Sequence, residues 1–376
     1  MMAKLGAVGA ASVLSLGISA QAGAVECNAV EPALVNPIYG LGGSATRPYI
    51  KELATVLANQ TPAVTVLYND SGGACTGPYA LIQGDKASGS FRYWDKTGKE
   101  STCTWTAGSA SAPPVAFANM GNSIGLCKTN GQATVLPQTI ADVEGPVVGV
   151  SVIVPKASSE NSISTEAAYF VFGFGKAGQV SPWLDDNLII RRNENSFVQL
   201  FLAKATGVPE TKFKGIDAKT NQASIQLVKD AATPNAAIGF ASSDVADDNR
   251  ASVKTLAYQH IGQSCGYLPD SSNTAFDRKN IRDGHYYLWT AQHYFAFKGA
   301  TAGTYADPNV EKFLGLATGK AVPQGVDWIN LVKKSGEVPR CAMKVWRDGD
   351  LGELYSYQDP SPCSAAYDAA PGKVVQ

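Results

Sequence analysis

Residues 36–57 read NPIYGLGGSATRPYIKELATVL, and the order of events in this stretch decides the fold. Asn36-Pro37-Ile38-Tyr39 is a short apolar strand candidate leading into a small-residue turn, Gly40 to Thr46. An amphipathic helix begins near Pro48, with Tyr49, Leu53, Val56 and Leu57 on one face. Thr46 suits the N-cap, and a proline soon after it suits the first turn, where its missing N–H has no helical partner to lose. The pattern then repeats: a buried-type strand, AVTVLY (63–68), a second turn, Asp70-Ser71-Gly72-Gly73-Ala74-Cys75, and a helical stretch through Tyr79 and Ile82. Strand, turn and helix in alternation predict an α/β fold.

Outward from this unit, residues 88–107 read as a β-hairpin around Thr97-Gly98, and 115–118 as a short strand. Residues 146–155 are a long apolar strand, enough to pass from one lobe to another. A helix over 166–172, a strand over 188–192 and a helix over 197–206 capped by Ser196 come next. Strands at 237–240 and 254–258 follow, and a second long strand, 286–297, is placed to cross back. Helices near 310–316 and 328–334 lead to a cysteine-bracketed tail. Some 350 residues exceed what one core usually supports, so two lobes are expected.

The chain carries 31 Lys and Arg against 32 Asp and Glu, a formal net charge of −1. No global field therefore draws nucleic acid or an anionic membrane. With 45% hydrophobic and 17% charged residues it is a packed globular chain. Residues 1–24 read as a secretory signal: Lys4, then an apolar run over 5–18, then small residues at Ala20-Gln21-Ala22 and Ala22-Gly23-Ala24. That run is too short to span a bilayer, so no membrane insertion is expected, and the protein is read as periplasmic or secreted.

Seven cysteines fit an oxidising compartment. None forms a CxxC pair and only three histidines exist, so no metal and no cofactor is expected. Cys103 with Cys127 and Cys341 with Cys363 are the expected bridges, each closing a moderate loop. Cys27, Cys75 and Cys265 remain, and the odd count leaves one thiol free or paired with another chain.

Three turns each end at a helix N-terminus: Gly43-Ser44-Ala45-Thr46, Ser71-Gly72-Gly73 and Arg192-Asn193-Glu194-Asn195-Ser196. Unpaired N–H groups and the positive dipole end suit an anion there. Hydroxyls of Ser44, Thr46, Ser71 and Ser196 add donors, and Arg192 can supply a bidentate contact to phosphate or carboxylate. Gly173-Phe174-Gly175-Lys176-Ala177-Gly178 matches the dinucleotide pattern GxGxxG, but it follows a helical stretch rather than a strand and reads as a helix end. Asp283-Gly284-His285 reads as a structural corner, and no GxSxG, HExxH or Walker-type loop is present, so no enzyme activity is expected.

The order of these turns resembles the substrate-binding proteins of phosphate ABC transporters, within the type 2 periplasmic binding fold. Residues 40–48 resemble that family's first phosphate loop, Ser71-Gly72-Gly73 its second, and Ile189-Ile190-Arg191-Arg192 with Ser196-Phe197 its third. Ala237-Ile238-Gly239-Phe240 is similar to the family's AIGY segment. The resemblance implies two mixed sheets flanked by helices and joined by two crossing strands, with residues 25–149 and 287–376 in one lobe and 150–286 in the other. It implies capture of a small polar ligand, most of all phosphate or a related oxyanion, for delivery to an ABC permease. Ser44, Ala45, Thr46, Ser71, Gly72, Arg192 and Ser196 take the ligand positions. Two departures stand out: no acid occupies 119–121, where the family has one, and Asn193-Glu194-Asn195 replaces the family's GSGT run. The other reading is an exported binding or surface-interaction protein that keeps the fold and has left phosphate transport.

Overall fold

The computed structural model describes residues 25–357 and 363–373. The signal segment, 1–24, lies outside the described residues. A nine-stranded sheet organises the chain: β1 (Pro37–Gly42), β2 (Thr65–Asn69), β3 (Gly89–Trp94), β4 (Glu100–Trp105), β5 (Phe117–Met120), β6 (Ile140–Pro155), β7 (Gly239–Ser242), β8 (Val253–Thr255) and β9 (Trp289–Phe297). The strand order is β7-β6-β9-β5-β1-β2-β3-β4, with β8 also paired to β6. The central strand β1 is parallel to both β2 and β5. Helices α1 (Cys27–Val30), α2 (Arg47–Ala58), α3 (Thr76–Gln83), α4 (Thr165–Phe174), α5 (Phe197–Thr206), α6 (Asn221–Lys229), α7 (Ser243–Asp247), α8 (Lys279–Arg282), α9 (Pro308–Ala317), α10 (Trp328–Lys334) and α11 (Cys363–Ala369) surround it.

The long apolar run becomes β6, 16 residues, and its pairing changes partway. From Ile140 to Gly149 it runs antiparallel to β9, and from Val150 to Pro155 antiparallel to β7 and β8. The two expected sheets thus meet in their crossing strands, and hydrogen bonds trace one continuous path. Residues 145–155 are buried throughout, because the sheet is covered on both faces there. Alternation still sorts them: Val150, Val152 and Val154 join the core against α4 and α5, while Ile153 packs with Ile225, Val228 and Val245 of α6 and α7. At the other end, Tyr49, Leu53 and Leu57 of α2 pack with Ile38, Val66 and Phe313, and the Tyr49 hydroxyl donates to the Ala317 carbonyl, 2.8 Å.

The disulfides differ from the expected set at one pair. Cys27 bonds Cys103 and Cys75 bonds Cys127, while Cys341 bonds Cys363 as expected; Cys265 is free and exposed. Cys103 is not available to Cys127, because the N-terminal segment runs beside β4, with Thr104 N–H donating to Val25 O, 2.8 Å, which brings Cys27 to it. Cys127 ends a short 3-10 turn that faces the start of α3, where Cys75 sits. Among the described residues no helix is long and apolar enough to cross a membrane, and no cluster of metal-ligating side chains forms.

Candidate functional site

Parallel pairing of β5, β1 and β2 brings their C-terminal ends to one edge, the place where open α/β sheets form a crevice. The loops after β1 and β2 leave from there, and a third, 192–196, follows the short strand Ile190–Arg191 of a separate two-stranded sheet and meets them. In the first, Ser44, Ala45 and Thr46 are all buried. The Thr46 hydroxyl bonds Asn119 Oδ1 and lies 3.1 Å from Gly43 O, with Tyr68 OH beside it at 3.2 Å. Thr46 holds the N-cap position of α2 as read, but its hydroxyl is committed inside the protein and makes no capping bond to the helix. Ser44 Oγ instead reaches α6, accepting from Asn221 N at 3.1 Å and Nδ2 at 3.4 Å. Ser242 Oγ donates to Ala45 O at 3.3 Å, and Ser242 N donates to Asn221 Oδ1 at 3.1 Å.

The second loop is pinned by Asn69, whose Oδ1 accepts from Ser71 N at 3.0 Å and Ser71 Oγ at 2.7 Å. Ser71 and Gly72 are exposed, so the loop's contact with the rest of the seam falls one residue later. Gly73 has φ +92°, and a Cβ there would sit 3.0 Å from Asn193 Oδ1 and Asn195 O. Only glycine fits that backbone without strain. Next to it, Cys75 N donates to Asn195 O at 3.2 Å, joining the second loop to the third.

The third loop carries the strongest electrostatic feature. Arg192 is 2% exposed. Its backbone N–H donates to Gln199 Oε1 at 3.0 Å and its Nη2 to Lys219 O at 2.7 Å, while Nε and Nη1 have no partner. Burial pushes its pKa down to about 10, against the pull of Asp217 and Asp70. Both carboxylates already serve other cations: Asp70 pairs with Arg47 and Arg92, and Asp217 with Lys219. A guanidinium held dry with two unpaired nitrogens calls for an acceptor, preferably an anion. Ser196 is buried at the start of α5, its carbonyl accepting from Gln199 N and Leu200 N. Glu194, the acid expected beside the site, is exposed.

Ser44 and Ala45 therefore meet α6 and β7, Thr46 is held by Asn119 and Tyr68, and Gly73 meets the third loop. Asn119, Gly121 and Phe197, which fall where the resemblance places the family's acid and third loop, complete the seam with Asn221 and Ser242, and these last two escaped the sequence reading. Thr220 capping α6, with Oγ1 accepting from Ala223 N at 3.1 Å, marks a helix start that flags Asn221; nothing local flags Ser242. The GxGxxG stretch ends α4 and forms a 3-10 turn, Gly175–Gly178, as read. His285 stacks on Tyr267 with centroids 5.1 Å apart.

No family model matches the chain, and no curated protein matches it. Solved structures do. One from Clostridium perfringens, described as a phosphate ABC transporter substrate-binding protein with bound phosphate, is 12% identical, with TM-score 0.54 over 81% of this chain and 99% of that one. An ABC-type phosphate transport receptor from Vibrio cholerae is 15% identical, with TM-score 0.47 over 80% and 99%. At such identity the likeness is one of fold, and the chain has the two-lobed α/β architecture of type 2 periplasmic binding proteins.

Proposed function

We propose that this chain is an exported solute-binding protein, periplasmic or secreted, that takes a small oxyanion, phosphate or a chemical relative, into the seam between its lobes for delivery to an ABC permease. In this reading residues 25–149 with 287–376 form one lobe and 150–286 the other. Arg192 carries the proposal: a buried guanidinium with Nε and Nη1 unpartnered, on the loop that bonds Cys75 across the seam. The hydroxyls of Ser44 and Ser196 and the N–H groups at the starts of α2 and α5 are the donors to go with it. The ligand enters by displacing the Ser44–Asn221 and Ser242–Ala45 bonds, and closure re-forms around it. No covalent step is involved. Three disulfides support the exported address.

The test is a thermal-shift titration of the mature protein against phosphate, sulfate, other oxyanions and small organic acids. At 100 times its Kd a ligand stabilises by about 2.7 kcal/mol. A saturable shift that disappears in Arg192→Ala supports the reading, and a flat response to every anion removes it. The second reading, a fold kept for another kind of binding, is favoured by the packing of Phe197 against Gly121 in the same seam.

A further inference from the structure

Leading away from the seam, hollows of about 310 and 270 Å³ lie along α5, and a third of about 270 Å³ lies beyond it at the end of α4. The first two share Leu126, Lys128, Leu200 and Glu210, and the last adjoins through Val208 and Pro209. Together they form one groove, from the seam at Cys75 and Asn195 to the end of α4. There Tyr169, Phe170 and Phe174 meet edge-on and tilted, with centroids 5.3 to 5.7 Å apart. Phe170 and Phe174 are each 44% exposed, although both belong to this ring cluster.

Beside the apolar floor of the two hollows nearer α4 the charges are mainly positive. Lys204, Lys212 and Lys214 are exposed and make no ion pair among the described residues. Of the two acids that line the groove, Glu194 lies at its seam end, and Glu210 is taken by Lys128, which holds its carboxyl below the usual range despite partial burial. Away from Glu194, the groove thus offers three ammonium groups with no ion pair over aromatic and aliphatic surface. Its complement is a carboxylate-bearing chain that also carries apolar side chains. Three hollows in a row fit successive side chains of an extended segment, and a concave, linear site does not match the broad face of a bilayer.

We propose that this groove is the docking site for an extended, acidic and apolar segment of a partner protein, with its aromatic anchor at Phe174 and its carboxylates against Lys204, Lys212 and Lys214. The site is separate from Arg192, so docking and anion capture stand or fall independently.

The experiment uses the full mature protein and a short fluorescein-labelled peptide alternating Glu with Phe and Leu, read by fluorescence anisotropy. Counterparts with Lys for Glu, and with Ser for Phe and Leu, serve as controls. The proposal expects saturable binding of the acidic apolar peptide alone. Affinity falls by about tenfold or more in Phe174→Ser and in the double variant Lys212→Glu, Lys214→Glu, as for anchor residues of a docking site. All substituted side chains are exposed, and unchanged melting temperatures certify the fold. Arg192→Ala leaves peptide binding intact. Equal binding of the Lys peptide, equal affinity in the variants, or no saturable binding overturns the proposal. So does binding of anionic phospholipid vesicles without the peptide, or concentration-dependent self-association that Phe174→Ser abolishes.

Discussion

The ring of Phe197 lies against Gly121, where a Cβ would fall 2.5 Å from its Cδ1. A glycine after β5 thus makes room for the first side chain of α5, and the contact holds two distant parts of the chain together across the seam. Gly121→Ala forces that ring to move. The expected cost is about 1–3 kcal/mol, as for other overpacked sites, seen as a lowered melting temperature. Pairing it with Phe197→Ala should restore part of the loss, and a strictly additive double variant would refute the contact's importance.

Arg192 predicts a separation of stability from binding. Arg192→Met removes a cation that is buried without an anionic partner and keeps the apolar stem. Without added anion the variant should melt no lower than the parent, because desolvating the charge outweighs its one bond to Lys219 O. The anion-dependent shift should vanish. Calorimetry with and without phosphate reads both effects, and a large destabilisation without anion would mean that the guanidinium is satisfied within the protein.

Disulfide mapping tests the pairing directly. Iodoacetamide should label Cys265 alone in the native protein, and tryptic peptides should join Cys27 to Cys103 and Cys75 to Cys127. The Cys75–Cys127 bridge spans 52 residues. Replacing both by serine should cost about 4 kcal/mol by chain entropy, read by denaturant unfolding.

Asp244 sets a pH dependence. It is 1% exposed, and burial pushes its pKa up to about 6, against partial relief from Lys373 and Ser242. Glu337, also buried, is pushed up further by burial and by Asp244 itself. A raised acid binds its proton more tightly folded than unfolded, so its stabilising contribution is full at low pH. It is lost as pH rises from about 4, the unfolded value, through about 6. Asp244→Asn should flatten that fall and stabilise the protein at pH 7.5 relative to the parent. Melting temperatures across pH 4 to 8 for both proteins check it, and parallel curves would reject the assignment.

How much of this was legible in the residues follows from what is local. Gly40 to Thr46 announces a strand-to-helix turn because small residues, a hydroxyl and Pro48 fall in order within one stretch. The crossing strand was readable because residues 146–155 are apolar without alternation, as two covered faces require. Arg192 was found by its place after a strand. The partner of Ser44 was not, since Asn221 lies 177 positions away and nothing in either segment names the other. The cysteine misreading has the same origin: Cys103 and Cys127 are near in sequence, but β4 presents Cys103 to the N-terminal segment. That the contact between the second and third loops is made at Gly73, where positive φ and close approach coincide, rather than at Ser71 or Gly72, was not legible, because Asn193 and Asn195 lie far along the chain.

The change of partners along β6 bears on how the molecule comes apart. Its first ten residues are hydrogen-bonded to β9 and its last six to β7 and β8, on one unbroken backbone. Neither half of the architecture can melt and leave the other's strand intact. Heat should therefore produce a single calorimetric peak rather than two, and the amides on either side of Gly149 should exchange with deuterium last and together. A fold built this way opens only by bending its shared strands, and its two halves meet proteolysis as one body.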